Sequence, residues 1–366
     1  MNETTTARMP RTGAAWPALL FLAALAASLP AAAYEALVFQ GQPVEVTAAD
    51  LLPHAKVADK TFYSENYLFN CDMDGKAKLQ VKLGASNVLG KSGSSFADVS
   101  FSAPGLKSQR IQKTVPPGKW SVSTTLPFKF KGAGVELAGD HKTLRITAAT
   151  SAAALAVDLT SATPGWKPGN GRIEFGDQGY FSIVVWPSLE AKGTITDTRS
   201  GKVTAVSGTC IFNHAVSTLP PEFMPDRWFY FRSEGHKATL LFQGLLLPEA
   251  WGAKAFGWAL VSEGGKLKLA APRLALTLSD ARPRGDISLP WAIIGKDSAS
   301  GIDCALKASK LRKVVDRLKK LPAFEAALVR KFINPVRYLF DASMECAAAG
   351  GIRFRTDGEY IIETLR

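Results

Sequence analysis

Histidine and cysteine are scarce in this chain. Its 366 residues hold four of each, at 54, 141, 214 and 236 and at 71, 210, 304 and 346. They form neither a Cys-x-x-Cys nor a His-x-x-x-His pair, the spacings that zinc sites commonly use. No metal or other cofactor is implied. Catalytic signatures are missing too. Five residues separate Gly84 from Gly90-Lys91-Ser92, where a phosphate loop has four. Ser92 lies in Gly-Lys-Ser-Gly and lacks the second glycine of a nucleophile elbow. Cys210 and His214 share a strand face, but four residues of strand span about 13 Å, beyond the hydrogen-bond reach of a nucleophile and its base. After Leu29 no apolar run approaches the ~20 residues of a membrane-spanning helix.

What is present begins with an address. Arg8 and Arg11 precede an apolar run from Ala14 to Leu29, followed by Pro30 and Ala31-Ala32-Ala33. A basic head, an apolar middle and a small-residue exit describe a signal peptide, residues 1–33, cut before Tyr34. Met9 is an alternative start with a tidier basic head. An uncleaved anchor stays open as the second reading, although the run is short and interrupted by Pro17. The expected location is periplasmic or secreted, and the remainder is long enough for two domains of ordinary size.

That remainder is rich in Gly, Pro, Thr, Val and Phe, and it divides into short apolar runs between turn residues. Such punctuation predicts an all-β sandwich or barrel. At 180–186, Phe181, Ile183 and Val185 alternate with Ser182, Val184 and Trp186. Both faces are largely apolar, which suits a strand between a barrel interior and a neighbouring domain. From Ala305 the pattern predicts helices. Leu311, Val314, Val315, Leu318 and Leu321 recur at three- and four-residue steps, Phe324, Leu328 and Phe332 mark a second helix, and Val336–Ala349 a third. A last strand is expected near Tyr360–Thr364.

Charge is concentrated in the same stretch. The whole chain carries +12, and between Lys307 and Arg337 ten basic residues stand against Asp316 and Glu325. A basic amphipathic segment can lie on an anionic membrane surface, with Lys310, Arg312, Lys313, Arg317, Lys319 and Lys320 as the contacts. The other reading is a docked helix whose charges are simply solvated. Nucleic acid is not an expected partner, since the excess is confined to one patch without a nucleic-acid motif. Four cysteines allow three pairings. We favour Cys304–Cys346, which brackets the helical segment, with Cys71–Cys210 tying the two halves together.

Several strings share one order and spacing: Thr61-Phe62-Tyr63, Trp186-Pro187 leading to Gly193-Thr194-Ile195, Gly208 to His214, Arg227-Trp228, Pro248 to Trp251-Gly252, and Val315-Asp316-Arg317-Leu318-Lys319-Lys320-Leu321-Pro322. Together they resemble the lipocalin-like superfamily of AttH-like proteins, carotenoid 1,2-hydratases and the fungal oxidative-stress survival factor, the last most strongly. The resemblance implies two side-by-side lipocalin-like antiparallel barrels, residues 36–190 and 191–366, with the helical segment 305–349 inserted late in the second. It also implies a hydrophobic lipid or isoprenoid-like ligand, of sphingolipid type in the fungal family, and a link to stress survival.

Within that frame the expected ligand-binding residues are His214, Asn213, Arg227, Trp228, Trp186 and Trp251. The aromatics among them fall where the resemblance places the junction and the mouth of the second barrel. Hydratase-like members usually carry an aspartate before the histidine, and this chain has Asn213 there, which cannot supply a proton. The sequence therefore leans toward a lipid carrier over an enzyme. Two alternatives stay open: an isoprenoid or polyketide hydratase or cyclase using another acid, such as Asp177, Asp226 or Glu174, and a ligand-free structural envelope protein. For His214 a plain structural role competes with the pocket role, and for Arg227 a barrel-closing charge competes with a headgroup contact.

Overall fold

The computed structural model describes residues 35–54, 61–87, 93–233, 238–320, 323–330 and 333–365. The expected signal peptide at 1–33, His236, the Gly90-Lys91-Ser92 string and Leu321-Pro322 lie outside them. The architecture is all-β. The first sheet contains β1 (Leu37–Val38), β2 (Ser64–Met73), β3 (Lys78–Ser86), β4 (Ser94–Ser102), β5 (Gln109–Val115), β6 (Ser121–Val122), β7 (Phe128–Gly132), β8 (Val135–Gly139), β9 (Thr143–Ala149), β10 (Ala153–Ser161), β11 (Arg172–Glu174), β12 (Tyr180–Asp197) and β13 (Val203–Ser217). Its order is β5-β4-β3-β2-β13-β12-β10-β9-β8-β7-β6, an open sheet curled on a core of its own. The second is a closed barrel of β14 (Arg227–Ser233), β15 (Ala238–Leu246), β16 (Ala255–Glu263), β17 (Lys266–Arg284), β18 (Ile287–Asp297), β19 (Ile302–Asp316), β20 (Val336–Ala348) and β21 (Ile352–Thr364). The expected division at 190/191 thus falls inside β12, and β13 pairs with β2 and β12 of the first sheet.

Alternation builds both cores. In β4, Ser95, Ala97, Val99 and Phe101 are buried while their neighbours are half-exposed. An eight-stranded barrel is just wide enough for side chains to fill, and this one is filled by Phe229, Phe231, Phe242, Phe340 and Tyr360 among others. Trp291 packs edge-on to Phe340 at 5.3 Å, and Phe340 lies 5.5 Å from Tyr360. Between the two cores is a third, apolar layer. As the two-faced pattern of β12 implies, Val184 and Trp186 enter the first core, whereas Phe181, Ile183 and Val185 meet Leu241, Leu245, Trp251 and Trp258 of the barrel's outer wall.

The helical insertion expected over 305–349 is mostly strand. Among the described residues of that segment only α1 (Ala323–Arg330) is α-helical, after a 3-10 turn at Arg317–Lys320. The physical reason is a pair of bulges. In β19, Ala308 pairs with Ala342 and Lys310 with Asp341, then Leu311 with Phe340 and Lys313 with Leu339, so Ser309 and Arg312 are extra residues. An extra residue turns the strand's step of two into a step of three, and the apolar spacing then imitates a helix. In β20 the inward set Tyr338, Phe340, Ala342, Met344 and Cys346 keeps an unbroken period of two. Cys304–Cys346 forms as expected but brackets mostly strand, with α1 and one 3-10 turn between its ends, and it joins directly opposed residues of β19 and β20. Cys71–Cys210 does the same between β2 and β13.

Candidate functional site

Inside the first sheet, β2 and β13 form a ladder of directly opposed pairs. It starts at the Cys71–Cys210 disulfide, rises through Phe69 on Phe212 with rings stacked at 4.2 Å, and then through Tyr67 on His214, stacked at 4.5 Å. It ends at Glu65 opposite Val216. The base is apolar and the top is polar. Glu65 is 2% exposed and His214 1%, so this ionisable pair is out of water.

Hydrogen-bond logic fixes its protons. His214 Nδ1 lies 2.6 Å from the Asp50 carbonyl oxygen, which can only accept, so Nδ1 carries a hydrogen. Nε2 lies 2.8 Å from Glu65 Oε1. Two acceptors would repel there, so one proton lies between them, on the imidazole or on the carboxyl. Glu65 is also satisfied elsewhere: the Tyr63 hydroxyl donates to Oε2 at 2.7 Å, and the His54 backbone N–H donates to Oε1 at 3.3 Å. Burial, and then the charge of Glu65, push the Tyr67 phenol well above its ordinary pKa. Its hydroxyl donates to the Leu51 carbonyl at 3.1 Å.

Asp50, Leu51 and His54 belong to a strap, residues 35–54, that crosses the molecule from outside. Thr47 and Asp50 make a capping box at its 3-10 turn, and Asp50 also holds Lys167 at 2.7 Å. Upstream, β1 pairs with β11, and Phe39 is buried in the junction layer, edge-on to Phe256. Phe39 has a φ of 44°, a left-handed conformation that costs a non-glycine residue about 1–2 kcal/mol and persists because burial and pairing impose it. The strap needs glycines beneath it. A Cβ on Gly169 would strike the Phe39 carbonyl, and one on Gly165 would crowd Val46 and the Trp186 ring.

At the strap's end the His54 ring meets His214 edge-on at 5.6 Å, and the Tyr180 hydroxyl is 3.3 Å from His54 Nδ1. Burial first, then the like charge of His214, lowers the His54 pKa to about 4, against the opposing pull of Glu65. The sign follows from linkage. Between pH 6.5 and 4 the unfolded chain takes up the proton and the folded chain resists it, so stability present above about pH 6.5 is lost as pH falls toward 4. After allowance for screening at a partly exposed ring, the loss is about 1–2 kcal/mol. Thermal unfolding followed across that window should show it, and His54→Gln should flatten the slope; an unchanged slope would mean that another group carries the acid sensitivity.

The structure separates the residues singled out in the sequence. His214 and Trp186 are in the first core, where Trp186 stacks on Phe212 and donates to the His141 carbonyl at 3.1 Å. Asn213, the neighbour of His214, points the opposite way into the junction, as strand alternation requires. Trp228 and Trp251 are also in the junction, packed on Phe181 and Phe175. Arg227 spans the barrel end and donates to the Ser288 carbonyl at 2.7 Å. Of the candidate membrane contacts, Lys310, Arg312, Lys313 and Lys319 are exposed, with Arg312 paired to Asp341; Arg317 is paired to Glu363, and the Lys320 side chain lies outside the described residues. Asp177 is exposed, while Glu174 and Asp226 are half-buried. Glu65, a buried acid beside His214, is the residue that sequence reasoning missed. Its one local signal was a glutamate at an inward position of an alternating apolar strand. Among the described residues no three His, Cys, Asp or Glu side chains converge as a metal would require.

A crystal structure described as AttH from Nitrosomonas europaea shares 13% identity and a TM-score of 0.53, covering 90% of this chain and 99% of that one. CghA gives 10% identity and a TM-score of 0.54, with 91% and 96% covered, and its structure with Sch210972 gives a TM-score of 0.52 at the same identity and coverage. At such identities the likeness is one of fold. No curated protein matches. The model of the Svf1 family matches residues 45–340, from the strap through both sheets into β20. By that match the chain belongs to the Svf1 family.

Proposed function

We infer that this protein binds a hydrophobic, lipid-like ligand and works as a carrier or sensor outside the cytoplasm. The observation that supports it most directly is a narrow, mostly apolar crevice at the junction, lined by Phe39, Phe181, Leu245, Phe256, Trp258 and the polar Gln243, and too tight as it stands to admit a water molecule. Pockets for small ligands usually run to about 300–1,000 Å³. A lipid chain therefore enters only when Phe39 and the strap swing aside, gaining about 0.8 kcal/mol per buried methylene. Family membership favours the sphingolipid-type ligand that the sequence resemblance implies, and the two disulfides fit an oxidising compartment. Phe324 on α1 is 80% exposed, between the basic residues Lys319 and Arg330, and suits an anionic membrane surface.

The test is native mass spectrometry of the chain from Tyr34, with disulfides intact, and lipid analysis of what co-purifies. One long-chain lipid per protein is expected, together with weaker flotation of Phe324→Ser on anionic vesicles. A clean ligand-free mass, unchanged after incubation with membrane extract, would sink the carrier reading. The Glu65–His214 proton favours a second reading, a hydratase-type acid acting on an unsaturated hydrophobic substrate; CghA, of similar fold, has been solved with Sch210972.

A further inference from the structure

Far along the chain from the strap, two arginines grip one carboxylate, and the charge of Lys82 is felt by that carboxylate as well. Glu363 of β21 accepts from Arg317 through Nε at 2.8 Å and Nη2 at 3.2 Å, and from Arg337 of β20 through Nε at 3.2 Å and Nη2 at 2.8 Å. Both carboxylate oxygens are thereby occupied. Each guanidinium has five N–H donors in a fixed fork, so three remain on each arginine after these contacts.

The third cation is Lys82. Leu79, Val81 and Leu83 of β3 enter the first core, so Lys82 projects outward. The residue directly opposite it on β4 is Asp98, an obvious ion-pair partner. Asp98 is taken instead by Arg110, which grips both of its oxygens at 2.9 and 2.7 Å. The Lys82 ammonium lies 5.4 Å from the centre of the Phe96 ring, and no carboxylate among the described residues comes within ion-pair distance of it. Burial first, then the charge of Arg317, lowers its pKa to about 8, with Arg337 acting in the same direction and Glu363 against. Setting aside the Arg110–Asp98 pair, Lys82, Arg317 and Arg337 face Glu363 alone, a surplus of two positive charges in a partly desolvated place.

We propose that Lys82, Arg317 and Arg337 form a binding site for a phosphate-type dianion, either free in solution or borne on a lipid headgroup. The two forks offer the planar donors that phosphate oxygens match, and Lys82 supplies the point charge. The site does not depend on the hydrophobic-ligand reading, because its side chains come from β3, β20 and the 3-10 turn after β19, and none of them lines the crevice.

The experiment uses the full exported chain. Inorganic phosphate is titrated calorimetrically at neutral pH and low salt, and flotation compares phosphatidylcholine vesicles with and without phosphatidic acid. One saturable site that weakens with salt is expected, with about tenfold weaker binding in Lys82→Gln and near-normal binding in Lys82→Arg. Lys82→Gln removes an unpaired ammonium and leaves every hydrogen bond of Glu363 in place, so its melting temperature should be unchanged or higher, which separates lost binding from lost fold. Phosphate binding without selective flotation assigns the site to a free anion; flotation on phosphatidic acid that Lys82→Gln abolishes assigns it to a headgroup. Flat titrations with every probe, or binding that Lys82→Gln leaves intact, would overturn the proposal.

Discussion

Glu65→Ala is expected to lower the unfolding free energy by about 3–5 kcal/mol, measured as a shift of the urea midpoint at constant slope. The size comes from what the carboxylate satisfies. It accepts from Tyr63 and from the His54 backbone, and it shares the proton of His214 Nε2, all in a place from which water is excluded. Removing it takes this acceptor from three groups at once, and breaking a buried pair costs far more than an exposed one. Glu65→Gln keeps the shape and can donate an amide N–H to Nε2, so its cost should be only about 1–2 kcal/mol. The pair of variants separates structure from chemistry. If the shared proton drives hydration of an unsaturated substrate, Glu65→Gln folds but forms no product. If the pair only anchors the strap, Glu65→Gln binds ligand as the parent does. A Glu65→Ala protein within about 0.5 kcal/mol of the parent would show that water reaches the site and that the pair is not the strap's anchor.

What the sequence made legible follows from the range of each interaction. Short-range alternation in β4 and the two-faced pattern of β12 could be read directly, because each residue's environment is set by the pleat of its own strand. The segment 305–349 was misread where two bulges interrupt that pleat. Deciding between helix and bulged strand at Leu311 and Val314 requires the partner strand β20, whose unbroken alternation was present in the sequence. The site lay further out of reach. Glu65 and His214 are 149 residues apart, and Asp50 contributes a backbone carbonyl, for which no residue type is a signal. Nor does the sequence say that Asn213 turns its back on His214. That requires knowing that β13 has a core on one face and the outer wall of the barrel on the other.

Replacing Cys71 and Cys210 together by alanine is expected to cost about 5 kcal/mol, and replacing Cys304 and Cys346 about 4 kcal/mol. The ordering reflects the loops closed, 139 residues in the first case and 42 in the second, since a longer loop loses more freedom in the unfolded chain. The two loops do not overlap, so the losses should add to about 9 kcal/mol, comparable with the whole stability of an ordinary domain at about 5–15 kcal/mol. The first bridge also holds the base of the ladder that carries His214 and Glu65, whereas the second lies in the barrel wall. Losing the first should therefore loosen the strap and raise hydrogen exchange at residues 47–54 before the barrel melts. Losing the second should leave that exchange unchanged. Urea midpoints and segment-resolved exchange on the two double variants would measure both effects. Equal exchange at 47–54 in the two would mean that the first sheet keeps its ladder without the covalent tie. A quadruple variant that folds as well as the parent would remove the reason for an oxidising compartment, because a chain indifferent to both bridges would be equally stable in a reducing one.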